Sequence, residues 1–204
     1  ESVLVCSHFT TLNEAARATV VAMQHQPRAV EMIDKVILDC TKENIEQFKN
    51  RFFGQGDPEI ILAIEFAADT RTQANEQAQR LIADLQSKNM GYAHPLVYPP
   101  NINKVWTLRA AGLGLLSNVP GSAKPLSFIE DMAVAVDELP DFLAQLDPML
   151  RQAGQTTVVY YAHAGAGELH IKPTLDLKND NDVKQFRYIA TESAKLVKKF
   201  GGSL

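Results

Sequence analysis

The sequence predicts an α+β fold made of ferredoxin-like repeats, with helices packed mainly on one face of an antiparallel sheet. Strand-like runs alternate with amphipathic helical segments, and the order strand, helix, strand occurs twice in the first half. This repeat is a pattern of elements rather than of residues. The chain has 204 residues, 46% of them hydrophobic and 22% charged, which is ordinary for a globular protein and allows one sizeable core.

The first half is predicted to contain two strand–helix–strand units. Thr11 and Glu14 have the spacing of a capping box and mark the start of the first helix. Pro95 interrupts the last strand, which therefore fits the edge of a sheet. The units are strand 3–9, helix 11–26, strand 29–35, and strand 59–67, helix 70–88, strand 92–98, with helical pieces at 35–41 and 43–52 between them.

The second half continues the same alternation without a linker or a low-complexity segment. Its last helix has Val183, Phe186, Ala190 and Val197 on one face. We expect one compact unit, residues 1–204, with a lobe boundary possible near residue 100. The predicted elements are helix 102–117, loop 118–125, strand 127–134, helix 138–154, hairpin 157–173 and helix 182–200.

The charge pattern and the cysteines exclude several classes of protein. The net charge is −4, and the basic residues form no stripe of the kind that binds nucleic acid. No apolar run approaches the ~18–20 residues that span a bilayer. Cys6 and Cys40 form no CxxC motif, so we interpret them as reduced thiols of a cytoplasmic protein. The sequence starts directly in a strand and stops directly after a helix, which predicts an excised piece of a larger protein.

The hairpin "YYAHAGAGELHIKP" contains the most suggestive spacing. His163 and His170 flank a turn that contains Gly165 and Gly167, so both imidazoles can point into one space. This arrangement suits a divalent metal such as zinc, although Glu168 is expected to face away from His170. The alternatives are a phosphate cradle, which no following helix supports, and a plain hairpin with partly exposed histidines.

A second group of candidates precedes the hairpin. Arg109 shares a helix face with Trp106, and its planar fork suits a carboxylate; a surface arginine packed over the tryptophan is the alternative. Lys124 lies in a loop with small neighbours and could reach a ligand or simply be solvated. Glu130 and Asp131 are expected on opposite faces of a strand, which would prevent them from acting as a pair.

The sequence does not determine the roles of several other ionisable residues. Three acidic residues at strand ends could be ligands or ion-pair partners: Glu31, Asp34 and Glu65. Three histidines have no partner at telling spacing and are interpreted as structural or surface residues: His8, His25 and His94.

Several segments, taken in order, resemble a known family. They are "VEMIDK", "IEF", "WTLRAAGLGLLSNVPGSAKP", "FIEDMAV" and "YYAHAGAGELHIKPTLDLK". Together they resemble the C-terminal domain of FAD-linked oxidases, in the branch of D-lactate dehydrogenase, the glycolate oxidase FAD subunit and D-2-hydroxyglutarate dehydrogenase. The form "HAGAGELHIKP" is most similar to the large bacterial members that join an FAD half to an iron–sulfur half.

The resemblance implies a cap that covers a flavin held by a p-cresol methylhydroxylase-type FAD domain. Such an enzyme oxidises a D-2-hydroxyacid to the 2-oxoacid, and hydride passes to the flavin. By the same resemblance, Arg109 clamps the substrate carboxylate and Lys124 lines the pocket. His163 and His170 would bind a divalent metal, with zinc as the first candidate, that polarises the 2-hydroxyl group.

The sequence departs from the family pattern in two places. The family turn often reads G-D-G-N where this chain has residues 165–168 as G-A-G-E, and many members have Asn where this chain has Lys172. The family continues with an S-G-E-H-G segment whose Glu completes the metal site and whose His accepts the proton. Neither this segment nor an FAD domain lies within the sequence, so the isolated chain should be inactive, with no catalytic residue of its own.

The implied partners are a small 2-hydroxyacid and the FAD domain of the same protein, with an iron–sulfur cluster possible downstream. The electron acceptor is not identified, and a cytoplasmic protein could also bind peripherally to the inner membrane. The alternative hypothesis is a stand-alone ferredoxin-like module that binds a metal or ligand without catalysis. A purely structural interaction domain is a third, since this fold hosts many functions.

Overall fold

The computed structural model describes residues 1–204 apart from the side chain of Leu113, and in this part of the chain eight strands form one antiparallel sheet. The strand order is β4-β1-β3-β2-β7-β8-β5, and β6 also pairs with β8. The strands are β1 (Ser2–Phe9), β2 (Ala29–Asp34), β3 (Ile60–Ala67), β4 (Leu96–Val97), β5 (Lys124–Pro125), β6 (Ile129–Ala133), β7 (Val158–His163) and β8 (Glu168–Leu175).

The described residues also form seven α-helices, and short 3-10 turns lie at Lys49–Arg51, Val136–Glu138 and Ala164–Ala166. None of these helices combines the length and the apolar character that crossing a membrane requires. The helices are α1 (Leu12–Gln24), α2 (Lys35–Glu43), α3 (Ile45–Phe48), α4 (Arg71–Ser87), α5 (Ile102–Leu116), α6 (Leu139–Gln152) and α7 (Asp180–Lys199).

Two hydrophobic cores lie on opposite faces of the sheet, because successive strand residues point to opposite sides. The larger core joins the sheet to α1, α4, α6 and α7. The smaller core joins the other face to α2 and α5. Most helices therefore pack on one face, as the sequence predicts, and α5 covers the opposite face, where the candidate site lies.

The ferredoxin-like plan occurs twice. In the first unit, two strand–helix–strand crossovers produce the strand order β4-β1-β3-β2. This is the strand order of the ferredoxin-like fold. The second unit repeats it with β6, α6, β7, β8 and α7, and an isolated bridge between Ala133 and Ser203 stands in the place of a fourth strand. The units join through β2 and β7. The predicted fold class is confirmed, and the lobe boundary expected near residue 100 stays a prediction.

The helix starts follow their capping residues. Thr70 and Gln73 form a complete capping box at the start of α4. Thr11 accepts the Glu14 N–H at the start of α1, but the Glu14 carboxylate accepts the Gly91 N–H at 2.8 Å instead of completing the box. The spacing thus predicts the helix start correctly, while a tertiary contact redirects the acidic side chain.

Two element predictions need correction. The strand predicted at 92–98 shortens to β4, although its edge position is confirmed; Pro95 offers only its carbonyl, which accepts the Cys6 N–H at 2.9 Å. Val183 is exposed rather than part of the buried face of α7. That face is instead the i, i+4 row of Ile189, Ser193 and Val197.

The hairpin turn depends on Gly167. This residue has φ +70°, and a Cβ there would lie 2.0 Å from the carbonyl oxygen of Val134. We expect Gly167→Ala to lower the free energy of unfolding by about 2 kcal/mol or more, from a backbone clash added to left-handed strain. Gly201→Ala is the matched control, since Gly201 has φ +67° and no described atom within 4 Å of its Cβ position. Equal losses in urea unfolding would show that the close approach does not matter.

A buried carboxylate links the two units. Asp34 accepts the Ile37 N–H at 3.0 Å and the Tyr160 N–H at 2.7 Å, and burial raises its pKa to about 7. The unfolded chain releases this proton near pH ~4, whereas the folded chain keeps it to about pH 7. The free energy of unfolding should therefore fall as pH rises through this window.

Asp34→Asn tests this linkage, because the amide cannot ionise. Wild type should be the more stable protein at low pH, and its advantage over the variant should shrink as pH rises from about 4 to about 7. Urea unfolding at several pH values measures this difference, in which the other titrating groups cancel. A difference that stays constant across the window would contradict a raised Asp34 pKa.

Candidate functional site

The register of three neighbouring strands places the candidate side chains together. His163 pairs with Glu168 and Tyr161 pairs with His170 across β7 and β8. The register of β2 and β7 sets Glu31 beside His163. These five side chains share the face of the sheet that α5 covers, because they occupy alternate positions on their strands.

The two imidazoles lie close to each other and to a carboxylate. The ring centroids of His163 and His170 are 5.3 Å apart, with the planes at 79°. One ligand atom each from His163, Glu168 and His170 lies within 4.8 Å of the others. Two imidazole nitrogens and a carboxylate oxygen are a ligand set that zinc and other first-row divalent ions accept. The residues present therefore fit a divalent metal.

The expected orientation of Glu168 is wrong. Glu168 and His170 are two residues apart on β8, so the alternation of strand side chains puts them on the same face. The Glu168 Oε1 atom lies 4.0 Å from His170 Nε2, which is too far for a hydrogen bond but leaves both atoms facing one space. The hairpin thus contributes three potential ligands rather than two.

Arg109 reaches this group from α5. Its side chain is 12% exposed and forms an ion pair with Glu31, which is 15% exposed. The same Nη2 atom lies 3.3 Å from His163 Nδ1 and 3.4 Å from the carbonyl oxygen of Ala162. The guanidinium stacks over Tyr161, with 4.2 Å between its central carbon and the ring centroid. Arg109 is therefore partly buried beside the imidazoles rather than spread over the protein surface.

Tyr161 holds the Arg109 side chain in this position. Burial raises the pKa of Tyr161, so the phenol keeps its proton at neutral pH. That hydroxyl donates to the backbone carbonyl of Arg109 at 3.2 Å. One side chain of β7 thus contacts both the backbone and the guanidinium of Arg109.

Glu130 and Asp131 do not point to opposite faces as predicted. A register shift in β6 and a φ of +59° at Asp131 turn both carboxylates toward the same side. Asp131 Oδ1 lies 3.1 Å from His170 Nδ1, and Glu130 forms a tight ion pair with Lys172. Since the Lys172 side chain is only 6% exposed, its charge is balanced by a carboxylate within the domain.

Lys124 is not brought to the imidazoles. It pairs with Leu175, at the opposite end of β8 from Glu168, and its ammonium donates to the Val119 carbonyl. A role for Lys124 in the substrate pocket stays a prediction.

The remaining histidines and the cysteines have structural surroundings. His25 lies 3.1 Å from an oxygen of Asp84, and His94 lies 3.0 Å from the Ser7 hydroxyl. Burial lowers the pKa of His8, whose Nδ1 lies 2.8 Å from the Cys6 carbonyl. Both cysteines are free thiols.

An open cavity of about 480 Å³ adjoins the group. It is lined by residues that include Glu31, His163 and Glu168, together with Arg28 and Gly165 at the hairpin turn. A small ligand therefore has space next to two of the three potential metal ligands.

Comparison with known proteins gives the family. Residues 1–204 match the model of FAD linked oxidases, C-terminal domain. The chain belongs to this family. This FAD-linked oxidase domain is 30% identical over 210 residues to D-2-hydroxyglutarate dehydrogenase of Pseudomonas putida, and 29% identical over 218 residues to the protein of that name from Haemophilus influenzae.

The chain spans about a fifth of these relatives. The alignments cover 100% and 98% of this chain but 21% of each relative. Among solved structures, p-cresol methylhydroxylase with substrate bound superposes with a TM-score of 0.60 at 10% identity, covering 100% of this chain and 44% of that one. At this identity the likeness shows the fold alone.

The sequence analysis named three further residues of the site without assigning them to it. Glu31 was one of several acids at strand ends, and its pairing with β7 is a long-range contact that no local pattern reveals. The orientation of Asp131 depends on a β-bulge that no sequence pattern predicts. Glu168 could have been found, because counting by two along the strand from His170 reaches it.

Proposed function

We propose that this domain is the substrate-binding cap of a flavin-dependent dehydrogenase that oxidises a D-2-hydroxyacid to the 2-oxoacid. One observation carries the proposal: the Arg109 guanidinium lies 3.3 Å from His163, so a carboxylate-binding fork and a metal-ligand set share one face. A 2-hydroxyacid carries its carboxylate and its hydroxyl on adjacent carbon atoms. Neighbouring sites for the two groups are what such a substrate requires.

Arg109 would bind the carboxylate of the substrate. Its polar contacts among the described residues use Nη2, so Nη1 is available to a ligand. Glu31 and the ring of Tyr161 hold the guanidinium in place before the substrate arrives, which reduces the conformational entropy lost on binding. A charge-assisted hydrogen bond from Nη1 would orient a carboxylate as well as attract it.

His163, His170 and Glu168 would hold the divalent ion, for which zinc is the first candidate. When bound, such an ion supplies Lewis-acid polarisation of the 2-hydroxyl group. The hairpin orients the ligands, because β7 and β8 pair in register on both sides of the turn. A ligand from outside residues 1–204 could complete the coordination.

The proposal names the class of 2-hydroxyacids but no individual acid as the substrate. The names of the curated relatives make D-2-hydroxyglutarate the first acid to test. Lys172 lies on the same strand face as His170, and its Glu130 partner balances a charge that could otherwise attract a second carboxylate.

The flavin and any iron–sulfur cluster belong, in this proposal, to polypeptide outside residues 1–204. The FAD domain of the same protein is then the main partner of this cap, and the flavin accepts the hydride. The electron acceptor is unassigned, and a cytoplasmic or peripheral membrane location stays a prediction from sequence.

The test is anaerobic mixing of the full-length protein with a panel of 2-hydroxyacids while the flavin absorbance is followed. At least one D-2-hydroxyacid should bleach the flavin, and its L-enantiomer should do so much more slowly. A protein without flavin would favour the stand-alone binding module instead. A flavoprotein that no 2-hydroxyacid reduces would overturn the substrate class.

A further inference from the structure

The two histidines of the hairpin each have a carboxylate partner on the same ring nitrogen. We propose that Glu31 and Asp131 are positioning residues that fix His163 and His170 in the tautomer protonated on Nδ1. The Nε2 lone pairs of both rings are then free to bind a metal. The inference rests on the proposed function for its purpose, but the tautomers themselves can be measured without it.

The tautomer of His163 follows from comparing its two polar contacts. Its Nδ1 atom lies 3.0 Å from Glu31 Oε1 and 3.3 Å from Arg109 Nη2. The contact with the carboxylate is the shorter, and Nη2 has the Ala162 carbonyl oxygen at 3.4 Å and its ion pair with Glu31 as alternatives to Nδ1. Nδ1 then carries the hydrogen that Glu31 Oε1 accepts. The opposite assignment would leave that carboxylate oxygen facing a bare nitrogen.

The tautomer of His170 follows from the one acceptor that lies close to its Nδ1 atom among the described residues. Nδ1 lies 3.1 Å from Asp131 Oδ1, and an ionised carboxylate can accept but not donate. Nδ1 therefore carries the hydrogen. Nε2 faces Glu168 Oε1 at 4.0 Å, beyond hydrogen-bond range. The nitrogen that would bind a metal is thus directed at the other potential ligands.

The backbone conformation at Asp131 supports its role as a positioning residue. Its φ of +59° is uncommon for a residue with a side chain and costs free energy that the surroundings must offset. The register shift in β6 produces this conformation and delivers the carboxylate to His170. Carboxylates that hold metal-binding histidines in this way raise the basicity of the ligand and fix the ring.

The two positioning residues should differ in strength. The Glu31 side chain is 15% exposed, whereas the Asp131 side chain is 71% exposed. Water screens the exposed carboxylate, so its hold on the ring is weaker. Removing Glu31 should therefore have the larger effect.

The first test reads the tautomers by long-range ¹H–¹⁵N NMR on the metal-free 204-residue chain. In wild type both His163 and His170 should be protonated on Nδ1 at neutral pH. His8 is an internal reference, because its Nδ1 contacts the Cys6 carbonyl and its Nε2 accepts the Gln55 N–H at 3.1 Å. A wild-type His163 or His170 protonated mainly on Nε2 would overturn the proposal.

In variants that lack the carboxylate acceptor, the imidazole should no longer be held in one tautomer. Glu31→Met should shift His163 toward a mixture, and Asp131→Gly, which tolerates the positive φ, should do the same for His170. Glu31→Gln keeps an acceptor oxygen and should retain more of the wild-type tautomer. It also keeps the proposal testable if Glu31→Met does not fold. Unchanged tautomers in folded acceptor-free variants would contradict the assignment.

The second test measures zinc affinity by competition with a chromophoric chelator. Glu31→Met and Asp131→Gly should weaken binding by about 10- to 100-fold, with the larger loss for Glu31. Glu192→Met and Asp57→Gly are matched controls, since each removes an ion-paired carboxylate away from the hairpin. If wild type does not bind zinc, the proposed metal site fails and the NMR result decides this inference. If wild type and variants bind zinc equally, the positioning role is wrong.

Discussion

In the full-length enzyme proposed above, replacing Arg109 by alanine should lower kcat/KM for the reactive hydroxyacid by about 100- to 1000-fold. This range corresponds to roughly 3–4 kcal/mol, the scale for unpairing a buried, hydrogen-bonded charge. The variant loses the substrate contact and also leaves Glu31 without its cation. Arg109→Lys should recover only part of the activity, because lysine keeps the charge but lacks the planar fork.

The control for this experiment is Arg151→Ala. The Arg151 side chain is 62% exposed, and its Nε lies 2.8 Å from its carboxylate partner Asp147, so it resembles Arg109 in chemistry but not in burial. Its kcat/KM should stay near that of wild type. Thermal unfolding of both variants separates a lost contact from a lost fold. A folded Arg109→Ala enzyme with unchanged kcat/KM would remove the carboxylate role.

Substituting either hairpin histidine by alanine should abolish tight metal binding. Each change deletes a ligand outright, so the affinity for zinc should fall by more than the ~10- to 100-fold that follows loss of a residue behind a ligand. Activity of the full-length enzyme should fall with it. Equilibrium dialysis followed by metal analysis measures the loss for His163→Ala and His170→Ala separately.

His25→Ala provides the matched control, because His25 also lies 3.1 Å from a carboxylate oxygen but is far along the chain from the hairpin. It should keep the metal content of wild type. Metal content that is the same in all three variants would mean that the histidine pair is not the binding site. The plain hairpin, one of the alternatives from sequence, would then be the better interpretation.

Local periodicity was sufficient to predict the fold class. The apolar stripe of Ala74, Ala78, Leu81, Ile82 and Leu85 in α4 is buried, because an amphipathic helix has one way to bury its apolar face. The joining of the two units through β2 and β7 could not be predicted in the same way. That pairing connects residues more than a hundred positions apart, and nothing in either strand specifies the other.

The site shows the same division between local and long-range information. His163, His170 and Arg109 could be selected from residue chemistry and spacing, and the structure brings them together. Glu31 enters only through strand pairing, and Asp131 enters only through a bulge that reverses the expected alternation. Local patterns therefore predict which residues can carry chemistry, while tertiary structure decides which carboxylates serve them.

The most direct test of a shared carboxylate and metal site is single-turnover flavin reduction in the full-length protein before and after metal removal. The reactive D-2-hydroxyacid, identified from the panel, is mixed with enzyme that has been treated with a chelator and then dialysed. The rate of flavin bleaching should fall by at least about 100-fold and should return when zinc is added back. A bleaching rate that is the same with and without the metal would contradict the proposed role of His163 and His170.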